Sequence, residues 1–148
     1  LLSLLAAGTD VIRPASIARE NHLHLVMHDI AVAQDGMTMP GEEHVRSLLD
    51  FGRRWDQARP LVIHCYAGIS RSTASAYIIA AALAPGRDEM ELAQTLRELS
   101  PSATPNPRLI AVADMLLDRK GRMVEAIQSI GRGADAFEGT PFVLDIGR

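Results

Sequence analysis

Between Ser70 and Ala84 the chain carries Ala74, Ala76, Tyr77, Ile78, Ile79, Ala80, Ala81, Ala82 and Leu83, apolar on almost every side of a helix. A surface helix keeps one polar face; a helix with so little of one has to be enclosed by other elements. Pro85-Gly86 stops it. Just ahead stands Leu61-Val62-Ile63, short, β-branched and wholly apolar, which reads as a buried parallel strand. A buried strand running into a buried helix is the signature of an α/β layer fold.

The remaining pattern agrees. Leu1–Leu5 and Leu23–Met27 are strand candidates. Glu42–Trp55 is an amphipathic helix with Val45, Leu48, Leu49 and Trp55 on one face. Asp88–Leu99 and Arg108–Leu117 follow as helices, and a short helix lies between Gly121 and Gly131. Phe142-Val143-Leu144 is expected as a final edge strand. The expectation is a largely parallel central sheet with helices on both faces. With 148 residues, residues 1–148 form one domain, of which 121–148 is a C-terminal extension.

Charge and cysteine usage narrow the classes. The net charge is −3, so there is no general pull toward nucleic acid or anionic lipid, although a small basic pocket is compatible with it. The single cysteine, Cys65, excludes an intramolecular disulfide framework and a multi-cysteine zinc site. No apolar run reaches the roughly 18 residues of a membrane span. The chain opens on Leu1 without a methionine and is read as starting inside a longer protein. The opening leucine run is taken as a strand and not as the end of a secretory signal. A lone thiol fits a reducing compartment, so the expected location is cytoplasmic.

The segment His64-Cys65-Tyr66-Ala67-Gly68-Ile69-Ser70-Arg71-Ser72 joins that strand to that helix. Ligands of open α/β sheets bind beyond strand carboxyl ends, where a helix N-terminus points its free N–H groups at an anion. Cys65 lies at the mouth of such a site. Arg71 brings a planar fork of donors that matches two phosphate oxygens. Ala67 and Gly68 are small enough for the backbone to curl around a ligand. The same field lowers the thiol pKa. A thiolate facing an arginine-held phosphate is suited to covalent phosphoryl transfer. An inert buried cysteine leaves Arg71, Gly68 and the two serine hydroxyls at these offsets unexplained.

This segment resembles the cysteine-dependent protein tyrosine phosphatase superfamily, whose loop reads His-Cys, five residues, Arg, then Ser or Thr. The wording Ala67-Gly68-Ile69-Ser70-Arg71-Ser72 is most similar to its dual-specificity branch, and the likeness runs from about Leu1 to Leu117. It implies a metal-independent, cofactor-free phosphomonoester hydrolase that works through a phosphocysteine. The implied partner is a phosphotyrosine protein, extending to phosphoserine and phosphothreonine, with phosphate or a similar oxyanion in the pocket. Cys65 is then the nucleophile and Arg71 the phosphoryl clamp. The N–H groups of Tyr66, Ala67, Gly68, Ile69, Ser70 and Arg71 form the cradle. Ser72 eases departure of the thiolate, and its alternative is a helix-capping hydroxyl. His64 orients the loop from behind.

The resemblance also implies an aspartate general acid upstream. Asp29, 36 residues before Cys65 at the end of a strand, is preferred. Asp35 sits beside Gly36 in a turn, where aspartate is usually structural, and it stays open as the alternative. Asn106, in Thr104-Pro105-Asn106-Pro107, is expected to brace the loop through its side-chain amide. It also fits a helix N-cap before a proline. His22, His24 and His28 cluster without a completing ligand and are not read as a metal site. Arg132, between Gly131 and Gly133, has no fixed place in the sequence reading. The alternatives to a protein phosphatase are a phosphatase of a non-protein phosphoester such as a phosphoinositide, a sulfurtransferase, and a non-catalytic phosphate-binding module.

Overall fold

The computed structural model describes residues 1–146. Three parallel strands, β1 (Leu2–Leu5), β2 (Leu23–Val26) and β3 (Ile63–His64), form a sheet in the order β2-β1-β3. Five helices follow: α1 (Glu42–Arg54), α2 (Arg71–Leu83), α3 (Glu89–Leu99), α4 (Pro107–Leu116) and α5 (Arg122–Ser129). The fold is α/β.

Strand order corrects the sequence reading. The central strand is β1, with all four residues buried. β3 is an edge strand; Ile63 and His64 are half-buried and the neighbouring Val62 is exposed. A uniformly apolar run is therefore not by itself evidence of a central position. Pairing sets Leu2 beside Leu23 and Ile63, and Ser3 beside His24 and His64. Alternation then puts Leu2, Leu4 and Leu25 on one face, where they join the core.

α2 packs on β1 and β3, α1 on β2, and the two helices on each other. α4 packs on α1 and α2, and α5 on α3 and α4. On the opposite face Ser3 and Leu5 are buried while His24 and Val26 are exposed, and the one-turn 3-10 helix Arg19–Asn21 leads to His22, which bonds Ser3. Along the end of β2 burial alternates, with Leu25 buried between the exposed His24 and Val26.

α2 is enclosed as its composition requires, with Ala74, Tyr77, Ile78, Ile79, Ala80 and Ala81 buried. Gly52 of α1 lets Ile79 come close; a Cβ there would meet Ile79 Cγ2 at 3.1 Å. α3 begins where Asp88 accepts from the N–H groups of Met90 and Glu91, and α4 where Asn106 accepts from Arg108 and Leu109. The segment from Gly121 onward is tied to α4. Asp114 of α4 accepts from the N–H groups of Gly121, Met123 and Val124, which fixes the start of α5. The expected strand at Phe142–Leu144 does not form. Phe142 and Leu144 pack on the core and Val143 is exposed, an alternation with no strand to pair with.

Candidate active site

β3 delivers Cys65 at its carboxyl end, and α2 begins at Arg71. The loop between them turns at Gly68, whose φ of 72° is in the left-handed region that glycine adopts without steric cost. No side chain caps α2: Ser70 occupies the cap position without a side-chain cap bond. The N–H groups of Ser72 and Gly68 are among the influences that lower the Cys65 thiol pKa. Cys65 Sγ and Ser72 Oγ lie 3.2 Å apart. Burial pushes the thiol pKa up. The Ser72 hydroxyl and N–H, the Gly68 N–H and the Arg71 charge outweigh it, so the thiol titrates below its ordinary value. The capping alternative for Ser72 is not realised, because its hydroxyl is spent on the thiol.

Arg71 is 8% exposed. One terminal nitrogen donates to the Met27 carbonyl at 2.9 Å, and Nε is buried without a hydrogen-bond partner among the described residues. No carboxylate pairs with it among the described ion pairs. A buried guanidinium without a counter-ion is costly, and its charge is one of the influences that lower the Cys65 thiol pKa.

Asp29, just past β2, is exposed and receives two bonds on the same oxygen. Ser70 Oγ donates to Oδ1 at 2.6 Å and Asn106 Nδ2 donates to it at 2.9 Å. Asp29 is thereby tied to both the Cys65 loop and the start of α4. Asp35 is exposed on the same 28–38 loop and is not among the residues lining the cleft described below. His28 closes that loop, with its N–H on the Thr38 carbonyl and its Nδ1 accepting from the Thr38 N–H.

Asn106 does more than the sequence reading assigned, and by a different atom. Its backbone N–H, not its amide, braces the loop by donating to the Ser70 carbonyl at 3.2 Å. The amide goes to Asp29 and to the Ile30 carbonyl, while Oδ1 caps α4. Asn106 is 1% exposed, so these bonds are protected from water. Thr104 N–H adds a bond to the Ile69 carbonyl, and Thr73 Oγ1 donates to the Ile69 and Ser70 carbonyls.

His64 supports the loop from behind. Its Nδ1 is 3.3 Å from the Cys65 carbonyl and its Nε2 is 2.6 Å from Ser3 Oγ. Ser3 Oγ also lies 3.0 Å from His22 Nε2. Ser3 escaped the sequence reading. The only signal was a lone hydroxyl in an apolar strand, and its partner on β3 depends on register. Tyr66 is 85% exposed and stands on the surface. The His22 and His24 rings are stacked 6.4 Å apart, and among the described residues no group of three His, Cys, Asp or Glu side chains could hold a metal.

Beside the loop lies a cleft of about 520 Å³, lined on one side by Asp29, Ile69 and Ser70 and on another by Ser102 and Thr104. Its third side is Arg132–Phe137. Arg132, unplaced by sequence, is held there by an ion pair with Asp135 at 2.7 Å. Apart from Arg132, these tail residues drew no notice in the sequence because they carry no pattern of their own. No protein-family model, curated protein or solved structure matches the chain.

Proposed function

We propose that this chain is a metal-independent phosphomonoester hydrolase, acting on phosphotyrosine or with dual specificity, through a phosphocysteine intermediate. The observation that carries the reading is Arg71: a buried guanidinium with, among the described residues, an unpartnered Nε and no carboxylate, next to a thiol held below its ordinary pKa. Such a site is complete only with an anion in it.

In the proposed first step the Cys65 thiolate attacks phosphorus, the S–P bond forms and the P–O bond to the leaving group breaks. Asp29, in its protonated form, gives its proton to the departing oxygen. Arg71 and the N–H groups of residues 66–71 hold the equatorial oxygens. In the second step Asp29 takes a proton from water, the oxygen attacks phosphorus and the S–P bond breaks. The Ser72 hydroxyl, 3.2 Å from sulfur, stabilises the departing thiolate. Each step uses a thiolate, a guanidinium and a carboxyl group, so the chemistry requires no metal ion. A reducing compartment such as the cytoplasm suits a lone, acidified thiol.

The test is hydrolysis of para-nitrophenyl phosphate with and without chelator. The reading expects activity that survives chelation, disappears in Cys65→Ser and falls by orders of magnitude in Arg71→Lys, which cannot offer a bidentate fork. Full activity in Cys65→Ser would exclude it.

A further inference from the structure

Residues 131–139 are built into the wall of the cleft by backbone contacts. The Gly131 carbonyl accepts from Arg97 at 2.7 Å. Gly133 N–H donates to Thr104 Oγ1, Ala134 N–H to the Pro101 carbonyl and Gly139 N–H to the Ala67 carbonyl. Two of these positions accept only glycine at the present spacing. A Cβ on Gly133 would meet the Ser102 carbonyl carbon at 2.4 Å, and one on Gly139 would meet the Gly68 carbonyl oxygen at 2.4 Å. The tail therefore touches the Cys65 loop itself and the 101–104 loop that buttresses it.

Between these anchors Ala134, Ala136 and Phe137 line the cleft opposite Ile69. Phe137 is fully exposed; an aromatic side chain with no intramolecular packing at the edge of a cleft, next to Ala134 and Ala136, is available to a ligand ring. The only charged pair on this wall, Arg132 and Asp135, neutralises itself, so the wall does not select for a second charge. The volume, about 520 Å³, is in the range of sites that hold an organic ligand, well beyond what the phosphoryl group needs.

We infer that the Gly133–Gly139 tail is the specificity wall of this site, with Phe137 and Ala134–Ala136 receiving the ring of an aryl phosphate such as phosphotyrosine. The inference rests on the phosphatase reading above for the position of the phosphoryl group. It assigns to the C-terminal segment the discrimination between aryl and alkyl phosphates.

The test uses the full chain carrying Cys65→Ser, so that binding is read without turnover. Affinities for inorganic phosphate, capped phosphoserine and capped phosphotyrosine are measured by calorimetry. Phosphotyrosine is expected to bind more tightly than the other two. Adding Phe137→Ala, at a position with no packing to lose, should reduce that margin roughly two- to tenfold and leave phosphate affinity unchanged. Gly133→Ala, which pushes the tail off Ser102, should do the same. A margin unchanged in both variants overturns the inference while leaving the phosphatase reading standing. Equal weakening of all three ligands also overturns it, since the tail would then act on the anion loop alone. If none of the three binds, the phosphatase reading is overturned, and the inference with it.

Discussion

Asn106 Nδ2 lies 2.9 Å from Asp29 Oδ1, a contact between residues 77 apart in the chain. The same side chain caps α4 through its other atom. A single buried amide therefore fixes both the proposed acid and the helix behind the Cys65 loop. Asn106→Asp keeps an acceptor for the cap but removes the donor to Asp29 and sets a second carboxylate beside it. Asn106→Ala removes both. We expect both variants to lose hydrolysis of substrates with poor leaving groups by about tenfold or more. Only Asn106→Ala should also lose about 1–2 kcal/mol of stability from the cap, read by denaturant unfolding. Equal stability loss in the two would mean that the cap is not what anchors this residue.

The choice between the two upstream aspartates can be decided by pH–rate profiles. Asp29→Asn should flatten the basic limb of kcat, with a loss of roughly 10²–10⁴-fold for alkyl phosphates and less for an activated nitrophenyl ester, whose leaving group needs no proton. Asp35→Asn, exposed and outside the cleft lining, should leave the profile as it was. The opposite result would transfer the role to Asp35.

The Cys65 thiol is held below its ordinary pKa by Ser72, Gly68 and Arg71 against the opposing effect of burial. Its alkylation by iodoacetamide should therefore titrate below the value of about 8.5 for a free thiol. Lowering the pKa enlarges the thiolate fraction at neutral pH, so reaction should persist where an ordinary cysteine is mostly protonated. Ser72→Ala removes one of the stabilising donors and should move the midpoint up. A midpoint at or above that of free cysteine would contradict the acidified thiolate.

A second consequence concerns oxidation. Cys65 is the only cysteine of these 148 residues, so a sulfenic acid at this position has no resolving thiol among them. After mild peroxide, mass spectrometry should find Cys65 oxidised, and reactivation should depend on an added thiol. A disulfide within residues 1–148 is ruled out by composition. An inert Cys65 would count against the reactive thiolate.

Away from the site, Glu89 at the start of α3 is 9% exposed and bonds both Arg119 and Arg122 at 3.1 Å. Burial raises its pKa, but its own backbone N–H and the two arginines prevail and lower it. A depressed carboxylate pKa contributes stability that is present above the unfolded value of about 4.3 and is lost as pH falls through the folded value. The wild type should therefore lose stability as pH drops below about 4. Glu89→Gln should be less stable at pH 7 by about 3 kcal/mol, because it leaves Arg119 buried and uncompensated. It should also show a shallower acid decline. Parallel acid profiles for the two proteins would remove Glu89 from this role.

Much of the architecture was written locally. The apolar content of α2, the Asp88 and Asn106 caps and the proline and glycine breaks all act within a few residues, so they could be read to within one or two positions. The proposed nucleophile and clamp were legible for the same reason: Cys65 and Arg71 are fixed by one short loop. What failed involved distance. Leu61-Val62-Ile63 read as a buried strand, yet β3 is at the edge, because strand order depends on which strand the others choose to flank. Phe142–Leu144 alternates like a strand but finds no partner.

The sequence by itself determined an α/β chain with a thiol and an arginine bracketing a tight loop at a helix start, since backbone propensity and hydrophobic period are properties of neighbouring residues. Only the tertiary structure decided that Ser70 and Asn106 converge on Asp29, that Ser3 stands between two histidines behind Cys65, and that the tail from Gly131 to Gly139 walls the cleft. Each of these is a contact between segments tens of residues apart. Such contacts are set by strand register and helix packing, which no local pattern encodes.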